Sequence, residues 1–259
     1  MIYLKYIKIL LKSFWQYRFS TWLVLVGQFF GTFFSFFGIY LLFDRFGNIS
    51  GWTFGEAAIC FAVVHTAFSV SECFARGFDL FSRHVVSGEF DRVLLRPRST
   101  LLQVFGLGFE ITRMGRLIQS AVVLGIAISQ LKTEITVMKA VTLLLMVVCG
   151  VFIFTGIFIL GATVCFFTVE GLEIINIFTD GGREIAQYPL NIYNKWLVRF
   201  FTFIVPFGCF NYLPLMYITG KAAGNETLYM LMPMLGILFV IPCILIWNAG
   251  VKRYLSTGS

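Results

Sequence analysis

Apolar positions in this chain neither alternate nor keep to one stripe; they run on uninterrupted and then stop at short polar breaks. Uncharged runs cover Ser20–Phe43 and Ala140–Val169, each longer than the ~20 residues a helix needs to cross a bilayer's hydrocarbon layer. Weaker runs lie at Thr53–Val70, Gly115–Leu131, Trp196–Tyr217 and Leu228–Ala249. A backbone amide in hydrocarbon has no water to bond, so each run must satisfy its own amides as a helix. The pattern predicts an all-α membrane protein of one domain, residues 1–259, with six transmembrane helices over about 20–43, 53–70, 115–131, 140–169, 196–217 and 228–249. Pro206, Pro214, Pro233 and Pro242 predict kinks or breaks in the last two.

Composition agrees: 58% of the 259 residues are hydrophobic and 13% charged, about half the charged fraction of a soluble domain. The net charge of +7 would suggest nucleic acid in a soluble chain, but here placement matters more than the sum. With the N-terminus inside, sixteen of the twenty lysines and arginines fall on inner segments, and Arg45, Lys132, Lys139 and Lys221 on outer ones. By the positive-inside rule both termini are cytoplasmic, and no nucleic-acid partner is expected. Lys5, Lys8, Lys12 and Arg18 precede a run too long for a signal peptide and without a small-residue cleavage site. Residues 1–19 instead alternate basic with aromatic and aliphatic side chains, as an amphipathic interface helix would.

Chemistry-bearing motifs are sparse. The only Gly-Lys pair, Gly220–Lys221, has Leu215 and Ala222 where a phosphate-cradling GxxxxGK[ST] loop needs glycine and a hydroxyl. There is no GxSxG or HExxH, and the six cysteines stand singly, away from the two histidines, so neither an enzyme nor a metal or disulfide framework is expected. Ionisable residues within spans carry more weight, because a charge at the bilayer centre costs at least ~2.5 kcal/mol. Glu56 and Glu72 bracket the second span with His65 deep between them, while Glu110 and Arg113 lead into the third. Glu56, His65, Glu110 and Arg113 are candidates for lining a translocation path. An ion-coupled carrier using Glu56, His65 and Glu72 is the alternative reading.

The densest polar block is the stretch SRHVVSGEFDRVLLRPRST at residues 82–100. Phe78, Phe81 and Val85 fall at helical spacing, Ser87-Gly88 breaks the helix, a second short helix follows, and Pro97 ends it. Apolar knobs at Phe78, Phe81 and Phe90, rimmed by Asp79, Arg83, Glu89, Asp91 and Arg92, would dock a soluble partner. The segment EGLEIINIFTDGGREIAQYPLNIYNK, between the fourth and fifth predicted spans, reads as a second cytoplasmic feature.

Gly77-Phe78-Asp79, then Gly88-Glu89-Phe90-Asp91-Arg92-Val93-Leu94-Leu95-Arg96-Pro97, followed by Gln103, resembles the pattern of ABC-2 type transporter permeases. The resemblance is nearest to the compact six-span branch encoded beside a separate ATPase. Tyr188-Pro189, Ile192-Tyr193, Trp196, Pro206 and Leu213-Pro214 are similar to that branch's later motif. The resemblance implies the transmembrane half of an exporter that pairs with a second copy or a sister permease and works with two ATPase subunits. ATP and Mg would then bind in that partner rather than in this chain. Residues 77–97 would be the coupling helix, with Phe78, Asp79, Phe81, Arg83, Glu89, Phe90, Asp91, Arg92 and Arg96 engaging the ATPase. The resemblance further implies alternating access in a bacterial cytoplasmic membrane, and the aromatic-rich spans favour a hydrophobic or amphipathic cargo.

Overall fold

The computed structural model describes residues 8–168 and 176–254, apart from 10, 13 and 132. Among the described residues the elements are helical, with one isolated bridge between Ile49 and Trp52. Helices α1 (Arg18–Phe46) and α2 (Phe54–Asp79) lead to two short helices, α3 (Phe81–Val86) and α4 (Glu89–Leu94). Next come α5 (Thr100–Leu107), a 3-10 turn at Ile111–Arg113, α6 (Met114–Ser129) and α7 (Val137–Val164). A π-helical turn at Ile177–Gly181 opens α8 (Gly182–Ala186), and α9 (Lys195–Phe203) follows a 3-10 turn at Leu190–Ile192. A second π turn, Gly208–Tyr212, leads into α10 (Leu213–Ile218), then α11 (Glu226–Leu231) and α12 (Leu235–Arg253). Among the described residues five helical stretches are long and apolar enough to span a membrane, and a bent pair, Lys195–Phe203 with Gly208–Ile218, makes a sixth if counted as one. Parts of the predicted interface helix over 1–19 lie outside the described residues; residues 8, 9, 11, 12 and 14–16 are helical.

The bundle is built around α2. Ala57 through Val64 have no exposed surface, and α2 packs most extensively on α6 and α7. Alanines 57, 58, 62, 67 and 75 with Ser69 and Ser71 keep its outline slim, so neighbours approach closely on every side. At its C-terminal end a Cβ on Gly77 would meet the Val104 carbonyl oxygen at 1.9 Å, so the backbones of α2 and α5 touch there. The first helix lies at the edge, joined to α6 where a Cβ on Gly115 would meet the Leu25 carbonyl oxygen at 2.1 Å. Phe19, Trp22, Phe30 and Phe34 stay exposed on its outer face, as lipid-facing aromatics do.

Two expectations are corrected. The segment before residue 195, expected as a second cytoplasmic feature, instead threads the bundle alongside α2. The Arg183 guanidinium lies 4.9 Å over the Phe68 ring, Gln187 Oε1 is 3.1 Å from His65 Nε2, and Trp52 Nε1 donates to Asn191 Oδ1 at 2.7 Å. It thus climbs from the lower half of α2 toward its N-terminal end, where Asn191 meets Trp52, and α9 then packs back on the bundle through Phe200 on Phe178 and Phe201 on Phe207. The polar composition hid this course because Arg183 and Gln187 turn inward while bonding Asp180 and Glu184 of the same segment, carboxylates that stay exposed beside the polar cavities. The predicted span 196–217 is likewise not one straight helix, since its halves meet at 90°. Pro206 lacks an amide and disfavours helical geometry in the residue before it. Asn211 then ties the second half inward, its Nδ2 donating to the Ala186 carbonyl at 2.7 Å.

Crowding at Gly77 sets a testable contrast. Gly77→Ala should destabilise the chain by at least ~1–3 kcal/mol through overpacking. Gly27→Ala, whose added Cβ meets nothing within 4 Å, should be neutral or mildly stabilising in a helix. Thermal melts of the detergent-purified variants check this, and equal melting temperatures would contradict the close crossing.

Candidate functional site

The 82–100 loop folds as a helical hairpin. Gly88 joins α3 to α4 at φ +70, a conformation that glycine adopts without steric cost. His84 Nδ1 and Glu89 Oε2 lie 2.5 Å apart across the turn. Gln103 Nε2 donates to the carbonyls of Val93 at 3.1 Å and Arg98 at 3.2 Å, fastening the exit.

The predicted docking knobs are not on the surface. Phe78, Phe81 and Phe90 are fully buried, packed against the C-terminal ends of α7 and α12. Phe81 lies 5.1 Å from Trp247 and 5.0 Å from Phe90, Phe90 lies 5.0 Å from Tyr254, and Phe166 lies 5.0 Å from Trp247. Helical spacing marks the face that packs, and here it packs on the chain itself. The outward face instead shows Val86 and Leu95, 57% and 85% exposed, beside the exposed Arg83, Glu89, Arg92 and Arg96. Asp91 is half-buried, and Asp79 is ion-paired with Arg76.

Immediately inside the loop lies a buried ion-pair cluster. Glu72, its side chain 6% exposed, meets Arg116 at 2.6 Å, Arg113 at 3.5 Å and Arg76 at 3.7 Å. Arg76 Nε reaches Glu110 Oε2 at 3.0 Å, and Arg113 reaches the same oxygen at 3.8 Å. Arg116 Nη2 also donates to Gln28 Oε1 of α1 at 3.0 Å. Glu72 and Arg76 come from α2, Arg113 from the 3-10 turn, and Arg116 from the first turn of α6, so one cluster ties the inner ends of three elements to α1. The helical rows explain the spacing: Glu72, Arg76 and Asp79 share one face of α2, and Glu110, Arg113 and Arg116 follow at steps of three.

Two cavities adjoin it. One of about 330 Å³ is lined by Glu72, Arg76, Asp79, Arg83, Arg113 and Arg116, with Phe68, Phe158 and Asp180. A smaller one, about 170 Å³, is lined by Gln28, Thr32, Ser35, His65, Arg116, Arg183 and Glu184. Arg116 borders both, so a polar lining runs from the loop to the level of His65, about 10 Å along α2. The His65 ring stacks on Phe61 at 4.0 Å. Arg116 and Arg183 both lie over Phe68, at 5.3 and 4.9 Å. Among the described residues no group of His, Cys, Asp and Glu could hold a metal ion.

Of the residues singled out from sequence, Glu72, Glu110 and Arg113 meet in the cluster, and His65 lines the second cavity. Glu56 does not join them. Its carboxylate accepts from the Thr53 amide at 2.8 Å and from Lys221 Nζ at 2.7 Å, capping the start of α2 about 24 Å from Glu72. A continuous Glu56–His65–Glu72 path is therefore not what the structure assembles. Arg76, Asp180, Arg183 and Gln28 were missed as site residues. Gln28 had a signal, being the one amide within the uncharged first span, and polar residues within spans face the bundle or a water-filled cavity.

The sequence model of the family described as ABC-2 family transporter protein matches residues 29–258. The chain belongs to that family and is a multi-pass membrane component of an ABC transporter. No curated protein and no solved structure matches it.

Removing the central carboxylate leaves three arginines facing one another in a low-dielectric setting. Glu72→Gln should cost ~3–5 kcal/mol, the usual penalty for breaking a buried ion pair. Adding Arg116→Gln should recover part of that loss rather than deepen it. Melting the single and double variants tests this, and strictly additive losses would rule out the coupling.

Proposed function

We propose that this ABC-2 family chain is the permease half of an exporter, driven by a separate ATPase docked on the outward face of the 77–97 segment. The observation carrying this reading is the two-sidedness of the hairpin. Its outer face offers apolar Val86 and Leu95 among charges of both signs, the make-up of a docking patch with a polar rim. Its inner face is locked by Phe81 and Phe90 onto Trp247 and Phe166, so a displacement of the hairpin is handed to α7 and α12 as well as α2. ATP and Mg bind in the partner, two ATPases serve two permeases, and nothing in this chain need hydrolyse nucleotide.

The polar cavities supply the path. Gln28, Thr32, Ser35, Arg116 and Arg183 open beside α1 at a depth where acyl chains cannot solvate them. A second permease, either a copy of this chain or a sister, covers that side and completes a conduit for a hydrophobic or amphipathic substrate. Alternating access opens the conduit first to one side and then to the other. The charge distribution supports a cytoplasmic hairpin: among the described residues Arg83, Arg92, Arg96, Arg98, Lys252 and Arg253 gather at the loop end, against Arg45, Lys139 and Lys221 at the other. A bacterial cytoplasmic membrane is the setting proposed for it.

Co-purification of the native complex in mild detergent tests the docking face. Leu95→Asp or Arg92→Glu should lower the retained ATPase at least ~10-fold, as loss of an interface anchor does, while permease levels in the membrane stay at wild type. Full retention of the ATPase would refute the assignment. Phe90→Ala would not discriminate, because it empties a core site at ~3–5 kcal/mol.

The covering copy is tested separately. An added Cβ on Gly31 of α1 meets nothing within 4 Å, and in a two-fold contact a residue near the axis meets its own counterpart. Gly31→Cys should therefore yield an oxidant-dependent covalent dimer on a denaturing gel. If it gives only monomer, α1 faces lipid or a sister chain.

A further inference from the structure

α9 is set apart by its 90° bend from the helical stretch Gly208–Ile218 that follows it. Its sequence, KWLVRFFTF, places Lys195, Arg199 and Phe203 along one stripe at steps of four, with Thr202 three residues beyond Arg199 on the same side. Trp196 and Phe203 are 83% and 82% exposed. At the Phe203 end of the stripe a cavity of about 330 Å³ opens between α9, the π turn and α12, lined by Phe203, Cys209, Leu213, Met232, Leu235 and Phe239.

The few polar atoms of this lining are already occupied. Thr202 Oγ1 donates to the Val198 carbonyl at 2.7 Å, and Cys209 Sγ donates to the Thr202 carbonyl at 3.3 Å. The cavity therefore has nothing to offer a polar ligand and suits a hydrocarbon chain. One turn away from it stands Arg199, about 6 Å along the helix from Phe203, with Lys195 about 6 Å further. Both are exposed, and among the described residues neither makes an ion pair. An apolar slot, an adjoining pair of cations and an exposed tryptophan are together the arrangement that a helix in the headgroup region presents to a lipid.

We propose that α9 and this cavity form a binding site for a single anionic phospholipid, with an acyl chain between α9 and α12 and the headgroup phosphate on Arg199 and Lys195. The charge selects the occupant. A second copy of this chain meeting here across a two-fold axis would bring its own Lys195 and Arg199 against these, and like charges in register repel. The site is separate from the polar cavities beside α2, so it stands whether or not those form the substrate path.

The test uses the full chain, with its ATPase, in phosphatidylcholine nanodiscs containing a minor fraction of phosphatidylglycerol that carries a photoactivatable diazirine on one acyl chain. After illumination, peptide mapping should place the label on residues 202–213 and 232–239. The doubly substituted Lys195→Gln/Arg199→Gln chain, altered only at exposed positions, should lose about tenfold of that labelling, as expected when two cations near a headgroup are removed. A phosphatidylcholine probe with the same diazirine chain should label the site weakly and be indifferent to the substitutions. Equal labelling by the two probes, labelling unchanged in the variant, or label confined to other helices would each overturn the proposal. So would an unlabelled cavity together with Phe203→Cys chains that cross-link to each other, which would show a second copy covering the site.

Discussion

A helix enclosed on all sides within a membrane can keep a charge only if its neighbours bring the opposite one. Glu72 imposes that constraint on α2. Its side chain is 6% exposed, and the three arginines around it come from three different places in the chain. Each arginine is equally bound by the need for a carboxylate, so α2, the 3-10 turn and α6 are held in register at one end of the bundle. The Gln28 carbonyl then takes an Arg116 N–H that Glu72 leaves over, which brings α1 into the same arrangement. Such a cluster adds little net stability over apolar packing, yet any arrangement that separates its members is strongly disfavoured. It acts as a device for specifying geometry.

Above this cluster the chain changes its means of cohesion. The hairpin is held by aromatic rings around Trp247, and the indole N–H donates to the Thr100 hydroxyl at 3.2 Å. Edge-to-face contacts such as Phe81–Phe90 and Phe90–Tyr254 fix rings relative to one another without any unsatisfied polar atom. The two systems meet at Arg76, which pairs with Glu72 and Glu110 on one side and with Asp79, next to Phe78, on the other. Just beyond it the backbones of α2 and α5 touch at Gly77 and Gly108, leaving no room for independent sliding.

The sequence made much of this legible, for physical reasons that also mark where it stopped. Long apolar runs identified α1, α2, α7 and α12 because hydrocarbon length is a constraint on single segments. The spacing of Phe78, Phe81 and Val85 and the break at Ser87-Gly88 predicted two short helices, which form, but Phe78, Phe81 and Phe90 were expected to meet a partner and pack on the chain itself, because periodicity reports which face is covered and says nothing of what covers it. The 177–193 segment was misread for a related reason. Asp180, Arg183, Glu184 and Gln187 look solvated when counted alone, whereas Arg183 pairs with Asp180 and Glu184, and Gln187 bonds both Glu184 and His65. Their partners lie more than a hundred residues away or on the same short helix, and pattern along a chain does not distinguish an internally satisfied polar segment from a wet one. Pro206 announced a break, but the direction of the bend came from Asn211 and its tertiary bonds.

The two kinds of cohesion differ in how they respond to force, and that difference orders the parts. Interdigitated rings resist sliding because every small displacement forfeits close contact on all sides. The hairpin, the ends of α7 and α12, and the lower end of α2 therefore move together or not at all. Ion pairs between long arginine side chains have several acceptors within reach; Arg76 and Arg113 already share Glu72 and Glu110. Such a cluster can exchange partners while its charges stay compensated. Under the proposed docking, a displacement delivered to Val86 or Leu95 would travel rigidly as far as the aromatic cluster and be absorbed by re-pairing at the arginines. The two polar cavities flank the ion-pair cluster, the larger against α7 and the 177–181 turn and the smaller between α1 and α8, so re-pairing at the arginines changes the lining of both.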